Sequence, residues 1–447
     1  MPSGAGIPDA AMMACLFFIF LVPLAGAGIS LINAGLGRSR NAGHMMMASV
    51  CTLSIAAIAY FVCGFAWQGF IGMPGHCLVF SGKSWNWIAA QPFFFRGLEW
   101  SGSPASLVAL LQLFSVGLAA LIPLGSGADR WRLRACCASA AILAGWTYPV
   151  FAHWIWGGGW LAELGANYGL GHGFIDAGGA SSIHVVGGLT ALAVTWILGP
   201  RRGKYSPDGM APAIPGHNGV LVLFGCLLAL LGWFGLNSAG AMLFTGGAPG
   251  QTVLISINTL LQAAAACLTA AVITAIRFGK PDASLSANGW IGGLVASSAT
   301  CAFVVPAEAI VIGSIAGALV TFSVEWFELK LEVDDPAGAV SVHAIGGIWG
   351  LLAVGIFARF QGPVLNPAGA SPAGGASAPG QWLAQLVGVA TLIGFVLPLT
   401  YGLNLALNRL CPFRVAIEGE RQGMDLYELG AGAYPEFVTH TEDFIPR

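Results

Sequence analysis

The sequence predicts an all-α polytopic membrane protein. Eleven transmembrane helices are expected, ten of them forming an inverted five-plus-five repeat around a pore, with the N-terminus outside and the C-terminus cytoplasmic. Three observations predict it. Of 447 residues, 56% are hydrophobic and only 9% charged, with a mean hydropathy of +0.76, whereas a water-soluble globule carries about a quarter charged residues. Apolar stretches of the roughly 20 residues that cross a bilayer recur along the chain. One phrase is also written twice, SIHVVGGL at Ser182 to Leu189 and SVHAIGGI at Ser341 to Ile348, and Asp176 precedes His184 by the same interval as Asp335 precedes His343.

The apolar stretches lie near 10–33, 44–70, 104–126, 131–155, 178–199, 216–243, 251–276, 285–304, 306–328, 339–360 and 381–408. The first, from Ala10 to Ile32, has no Lys or Arg before it, so it lacks the charged start of a signal peptide and reads as a span. The cations fix the orientation. Arg38 and Arg40, then Arg130, Arg132 and Arg134, then Arg201, Arg202 and Lys204, then Arg277 and Lys280, then Lys330 fall on alternate connections, and Arg409, Arg414, Arg421 and Arg447 on the same side. Only Lys83, Arg96 and Arg359 lie opposite, which puts the basic side in the cytoplasm.

On this count His184 sits on the fifth helix and His343 on the tenth. Five is odd, so the second repeat, about 216–360, must lie upside down relative to the first, about 10–200. The pseudo-two-fold axis would bring the two imidazoles together near mid-bilayer. A single membrane histidine is as readily a packing residue as a functional one, but two at matched positions favour function, because ionisable groups at this depth are costly and mark pathways. The paired glycines after each histidine (Gly187 with Gly188, Gly346 with Gly347) permit close helix approach. A neutral imidazole offers one donor and one acceptor nitrogen, so such a pair can line a track for a small polar molecule and relay a proton.

Other classes drop out. A net charge of −2 leaves no basic face for nucleic acid, and neither a zinc-spaced cluster nor a phosphate-binding loop is present in the sequence. The ten cysteines are scattered, mostly in apolar runs. Haem ligation by the two histidines, which would make the chain an electron-transfer subunit, requires rings on opposite sides of a macrocycle, and the glycine pairs argue that they nearly touch. No enzyme activity, metal or cofactor is implied.

Five motifs carry a resemblance: WIWGGGWLAELG (Trp154 to Gly165), IDAGGASSIHVVGG (Ile175 to Gly188), GWFGLNSAG (Gly232 to Gly240), GKPDASLSANG (Gly279 to Gly289) and DDPAGAVSVHAIGGIWG (Asp334 to Gly350). In this order they resemble the ammonium transporter family, Amt/Mep/Rh. The resemblance implies a homotrimer with one pore per subunit and ammonium or ammonia as the substrate. It implies that Trp156 recognises the cation by cation–π contact, worth about 0.5–2 kcal/mol, with Asp176, Trp233 and Ser238 near that site. Asp176 is expected mainly to hold helix ends by accepting backbone N–H bonds and secondarily to attract cations. His184 and His343 match the twin histidines of the pore.

The sequence departs from the family at the gate. Members commonly stack two phenylalanines above the histidines; here Ser115 holds the first position, with Phe114 one residue early, and Leu236 holds the second. Gly240 stands where many members have a cation-holding serine. Two functional readings follow: a transporter that deprotonates ammonium and conducts ammonia past a modified gate, or an ammonium sensor that signals through its tail.

The chain divides into a membrane domain, 1–409, with the eleventh helix at about 381–408, and a tail, 410–447. The tail resembles the family's cytoplasmic regulatory segment through Arg414 and Glu418 in RVAIEGERQGMD and through Gly423, Asp425 and Tyr434 in GMDLYELGAGAY. The resemblance implies a PII-type signalling partner there, although Leu429 replaces a usual histidine. His153 is expected near the outer end of helix four, and Glu308 at an outer rim or subunit contact. KSWNWIAAQPFFFRGLEW (Lys83 to Trp100) is expected to be an aromatic belt on an outer loop, and Asn366 to Gly380 an external linker. The location expected is a bacterial inner membrane, with the lipid bilayer as a partner.

Overall fold

A computed structural model describes residues 9–206, 208, 210–360 and 378–434. Most of the expected linker Asn366 to Gly380, and Arg447, lie outside the described residues. Among the described residues, ten helices are long and apolar enough to cross a membrane: α1 (Asp9–Leu36), α2 (Ser39–Gln68), α3 (Pro104–Gly127), α4 (Leu133–Trp156), α5 (Ala180–Leu198), α6 (Gly219–Phe244), α7 (Pro249–Phe278), α9 (Pro306–Lys330), α10 (Val340–Phe357) and α11 (Gln381–Leu410). The chain is a multi-span membrane protein. Their outer faces carry exposed Leu, Ile, Val and Phe, such as Val220, Phe224, Val272 and Ile276, as a lipid-facing surface requires.

One expected span differs from the other ten. Helix α8 (Ala283–Thr300, ASLSANGWIGGLVASSAT) is rich in Ser, Ala and Gly and is not among the ten apolar enough to cross. The reason is its position: every residue from Ser286 to Thr300 except Trp290 is buried. A Cβ on Gly293 would lie 2.4 Å from the Gln262 carbonyl oxygen and one on Gly289 2.7 Å from the Ala270 Cβ, so α8 packs directly on the α7 backbone. Its polar side chains bond inward, Thr300 with Gln262 at 3.1 Å and Ser297 with Asn237 at 3.0 Å. A helix enclosed by protein needs no lipophilic face.

The all-α expectation also needs correction. Within the loop between α2 and α3, two antiparallel strands, β1 (Gly75–Phe80) and β2 (Lys83–Ala89), form a hairpin. Its two-residue turn, Ser81 and Gly82, has φ of +50° and +75°, the doubly left-handed turn that matches strand twist. The aromatic and branched residues of LVF and WNWI favour strand over a free belt. Trp85, Trp87, Trp154 and Trp160 pack together with ring centroids 5.5–6.1 Å apart, fastening the hairpin onto the end of α4.

Candidate functional site

The two doubled phrases meet inside the bundle. His184 and His343 are buried, and their Nδ1 atoms stand 3.3 Å apart. A Cβ on Gly188 would lie 2.5 Å from the Ala344 nitrogen, and one on Gly347 2.7 Å from the Val185 side chain. Ala344 follows His343 as Val185 follows His184, so the contact is reciprocal. Small residues here are what lets the rings touch.

Each histidine lies in a π-helical segment, Ala180–Val185 and Val340–Ile345, a geometry that is rare and found often at functional sites. An aspartate starts each. Asp176 Oδ1 accepts from the nitrogens of Gly179 and Ala180 at 2.8 and 2.9 Å, and Oδ2 from the Ser181 nitrogen and hydroxyl at 2.7 and 2.5 Å. Asp335 accepts from the Val340 nitrogen at 2.7 Å and from Ser126 Oγ at 2.7 Å. Ser181 and Val340 are each five residues beyond their aspartate, so the same cap serves both helix starts.

Trp233 on α6 lies flat against His184, with ring centroids 5.1 Å apart and 7° between planes, and donates to Ser298 Oγ at 3.1 Å. Its ring thus extends the histidine stack. His184 Nε2 has no hydrogen-bond partner among the described residues.

At the expected gate, Ser115 is buried and its hydroxyl bonds back to Leu111 O at 2.9 Å, Leu236 is buried, and Phe114 is half-buried in the core. Tyr148 occupies this neighbourhood. Its hydroxyl donates to Gln112 Oε1 and faces Ser115 and Ser182, while Gln112 Nε2 and Ser182 Oγ lack partners among the described residues. Buried polar atoms without partners mark places for water or a polar guest. Sequence reading missed Tyr148, Gln112 and Ser182; three polar residues inside apolar spans were the available signal.

Trp156 ends α4. Its Nε1 donates to Asp176 O at 2.9 Å, and its ring stacks on Phe244 at 4.2 Å with 7° between planes. Phe244, the last residue of α6, was not foreseen, and it covers one face of the expected cation surface. Gly240, one turn earlier, has no room for a side chain, since a Cβ would sit 2.3 Å from Ala177 O. Ser238 is buried without a partner among the described residues, and two residues put it about 200° around the helix from Gly240. It is not on the face that meets the Asp176 turn.

On the other side, the connections converge on a buried ion network. Arg201 donates to Asp334 at 2.8–3.3 Å and to Asp129 Oδ2 at 3.2 Å, and Arg130 donates to Gly199 O and Asp334 O, both at 2.8 Å. Burial raises the Asp334 carboxyl, but the Arg201 and Arg130 guanidiniums overcome this and hold it down to about 2.

The tail docks on that network. Arg414 donates to Leu198 O at 2.9 Å, Pro200 O at 2.8 Å and Glu420 Oε2 at 2.9 Å, and Asp425 accepts from the backbone of Gly43 and His44 at 3.1 and 2.6 Å. Gly423 has φ +105° and lies against Arg40, and the Tyr434 hydroxyl meets His217 Nε2 at 3.0 Å. Glu418 is exposed; the residue that docks is Glu420, which takes the Arg202 N–H at 2.6 Å. Glu428 pairs with His44 at 2.8 Å.

The profile of the Ammonium Transporter Family matches residues 10–434. The chain belongs to the ammonium transporter family. It is 37% identical over 435 residues to the ammonium transporter Amt2 of Archaeoglobus fulgidus, covering 95% of this chain and 88% of that protein. It is 30% identical to the ammonium transporter of Bacillus subtilis, over 94% and 97% of the two chains. Among solved structures, a sensor Amt protein superposes with a TM-score of 0.81 at 28% identity, covering 94% of this chain and 98% of that one. Candida albicans Mep2 shares the fold with a TM-score of 0.78 at 23% identity, over 98% and 93%. At Gly240, where the resemblance implies a serine, α6 lies too close to the Asp176 turn for a side chain.

Proposed function

We propose that this chain is an ammonium transporter of the inner membrane, with α1–α11 all spanning, two inverted repeats, an outer N-terminus, a cytoplasmic tail and a trimeric assembly. Ammonium is recognised at the outer end by Trp156, on the ring face away from Phe244 and near the Asp176 turn. It loses a proton there, because carrying a charge through the apolar interior costs far more than carrying neutral ammonia. Ammonia then passes Tyr148 and the His184–His343 pair. A proton can take the same route: it binds Nε2 of the first ring, that ring's Nδ1 proton crosses to the second Nδ1, and the second ring releases its Nε2 proton. The observation that carries this reading is the buried histidine pair, held in contact by glycines that face the opposite phrase reciprocally.

Currents evoked by ammonium pulses on proteoliposomes test it, with His184→Ala beside the wild type. A second reading, ammonium sensing through the tail, is favoured by one observation: the tail is bonded at once to the α2 start, the α5–α6 connection and the α4 start, through Asp425, Arg414 and Glu428. A folded wild-type protein that binds ammonium and passes neither charge nor ammonia would favour sensing. A trimeric PII-type protein is the partner proposed for the tail.

A further inference from the structure

The strand β2 inverts the usual pattern of a packed strand. Its most buried middle position is the polar Asn86, 8% exposed, between the tryptophans Trp85 and Trp87. The register explains how: His76 pairs with Ile88 but Cys77 with Asn86, so Trp87 is an inserted residue. A bulge of this kind re-aims the neighbouring side chain. Gly75 leaves room for it, since a Cβ there would lie 2.5 Å from Asn86 Oδ1.

Asn86 grips the chain on both sides of Trp156. Its Nδ2 donates to Gly158 O at 3.1 Å, its backbone oxygen accepts from the Trp160 nitrogen at 3.1 Å, and its Oδ1 meets His153 Nε2 at 3.0 Å. His153 Nδ1 in turn lies 2.7 Å from Gln68 O, and a neutral ring donates to one of these two oxygens. The gripped turn has little freedom of its own: Gly158 has φ +83°, and Cβ atoms on Gly157 and Gly159 would lie 2.3 Å from Gln68 O and 2.4 Å from Trp154 Cα. A buried amide that makes a directional bond to either side of one residue fixes that residue's backbone more tightly than apolar packing does.

We infer that Asn86 is a positioning residue for Trp156: the outer hairpin braces the cation-recognising indole from outside the membrane, acting through the Gly157–Trp160 turn and His153. This rests on Trp156 as the recognition surface proposed above. Cation–π attraction falls quickly once the cation leaves the ring face, so a loosened indole weakens recognition and leaves the histidine pair, deeper in the bundle, untouched.

The test uses full-length protein in proteoliposomes and, separately, the same protein labelled with 5-fluorotryptophan in detergent, the Trp156 resonance being assigned by its loss in Trp156→Phe. Asn86→Ala is expected to raise the half-saturating ammonium concentration about three- to tenfold with the maximal rate within about twofold. It should also shift the Trp156 fluorine resonance and leave that of Trp233 in place. Asn86→Asp keeps the size and the oxygen facing His153 but turns an oxygen, in place of the NH2, toward Gly158 O, so it should give a change of the same kind; it also serves if the alanine variant misassembles. Val79→Ser, on the exposed strand β1, should change neither readout. An unmoved Trp156 resonance, or a fall in maximal rate with unchanged half-saturation, overturns the assignment. A wild type that shows no saturable transport would overturn the transport reading instead, and the fluorine spectra would still decide the role of Asn86.

Discussion

Gly188 lies against Ala344 so closely that a Cβ on the glycine would sit 2.5 Å from the alanine's nitrogen. The contact is backbone against backbone, with no flexible side chain to give way. Gly188→Ala should therefore cost about 1–3 kcal/mol through overpacking and push the two histidines apart. A lowered unfolding temperature of the purified protein, together with a changed ammonium response, would show both effects. An unchanged unfolding temperature would mean that the helices are not in contact there.

Gly240 and Ala177 O make the same point at the Asp176 turn. Gly240→Ser introduces the residue that the resemblance implies here, yet a Cβ at this position would sit 2.3 Å from Ala177 O. We expect lower thermal stability and no gain in ammonium affinity, measured on one preparation. Tighter binding at unchanged stability would show that α6 stands further from the Asp176 turn.

Asp176 accepts four bonds from buried donors. Asp176→Ala leaves them unsatisfied, at about 1–3 kcal/mol each, and should yield little folded protein. Asp176→Asn keeps an oxygen for Gly179 and Ala180 and should fold better. If both variants fold and conduct equally well, the carboxylate is not the cap. Yields by size-exclusion chromatography and ammonium currents decide.

The Arg201–Asp334 network should make stability acid-sensitive. Asp334 is lowered from 3.8 to about 2 in the folded chain, and Glu428 is held below its usual value by His44 and the Leu133 N–H against the opposing effect of burial. A depressed carboxyl stabilises the fold above its unfolded pKa, and that contribution is lost as pH falls through the folded one. Unfolding temperature should therefore hold down to about pH 4 and fall toward pH 2, and Asp334→Asn should start lower and show a shallower fall. Equal slopes for both proteins would remove Asp334 from the network.

Much of this was legible in the sequence, and the exceptions have physical causes. The doubled phrase, the aspartate spacing and the span positions can be read from the chain because each depends on residues near one another in sequence or on a repeat. Helix α8 reads as weakly apolar because its neighbours, rather than lipid, surround it. The hairpin was hidden in a loop whose tryptophans look interfacial until Asn86 and the Ser81–Gly82 turn are seen together. The Phe244 stack on Trp156 joins helix ends 88 residues apart in sequence (244 minus 156), which no local pattern encodes. Glu418 and Glu420 are the same residue type within six positions of Arg414, and only the docked tail separates the exposed one from the buried one.

The central claim is that His184 and His343 form the working path. Purified protein in proteoliposomes, pulsed with external ammonium, should give a saturable current that is abolished or altered in kind in His184→Ala at equal protein density. A current identical in the variant, or none in a wild type shown to be a folded trimer, would contradict ammonium-coupled charge movement through the histidine pair.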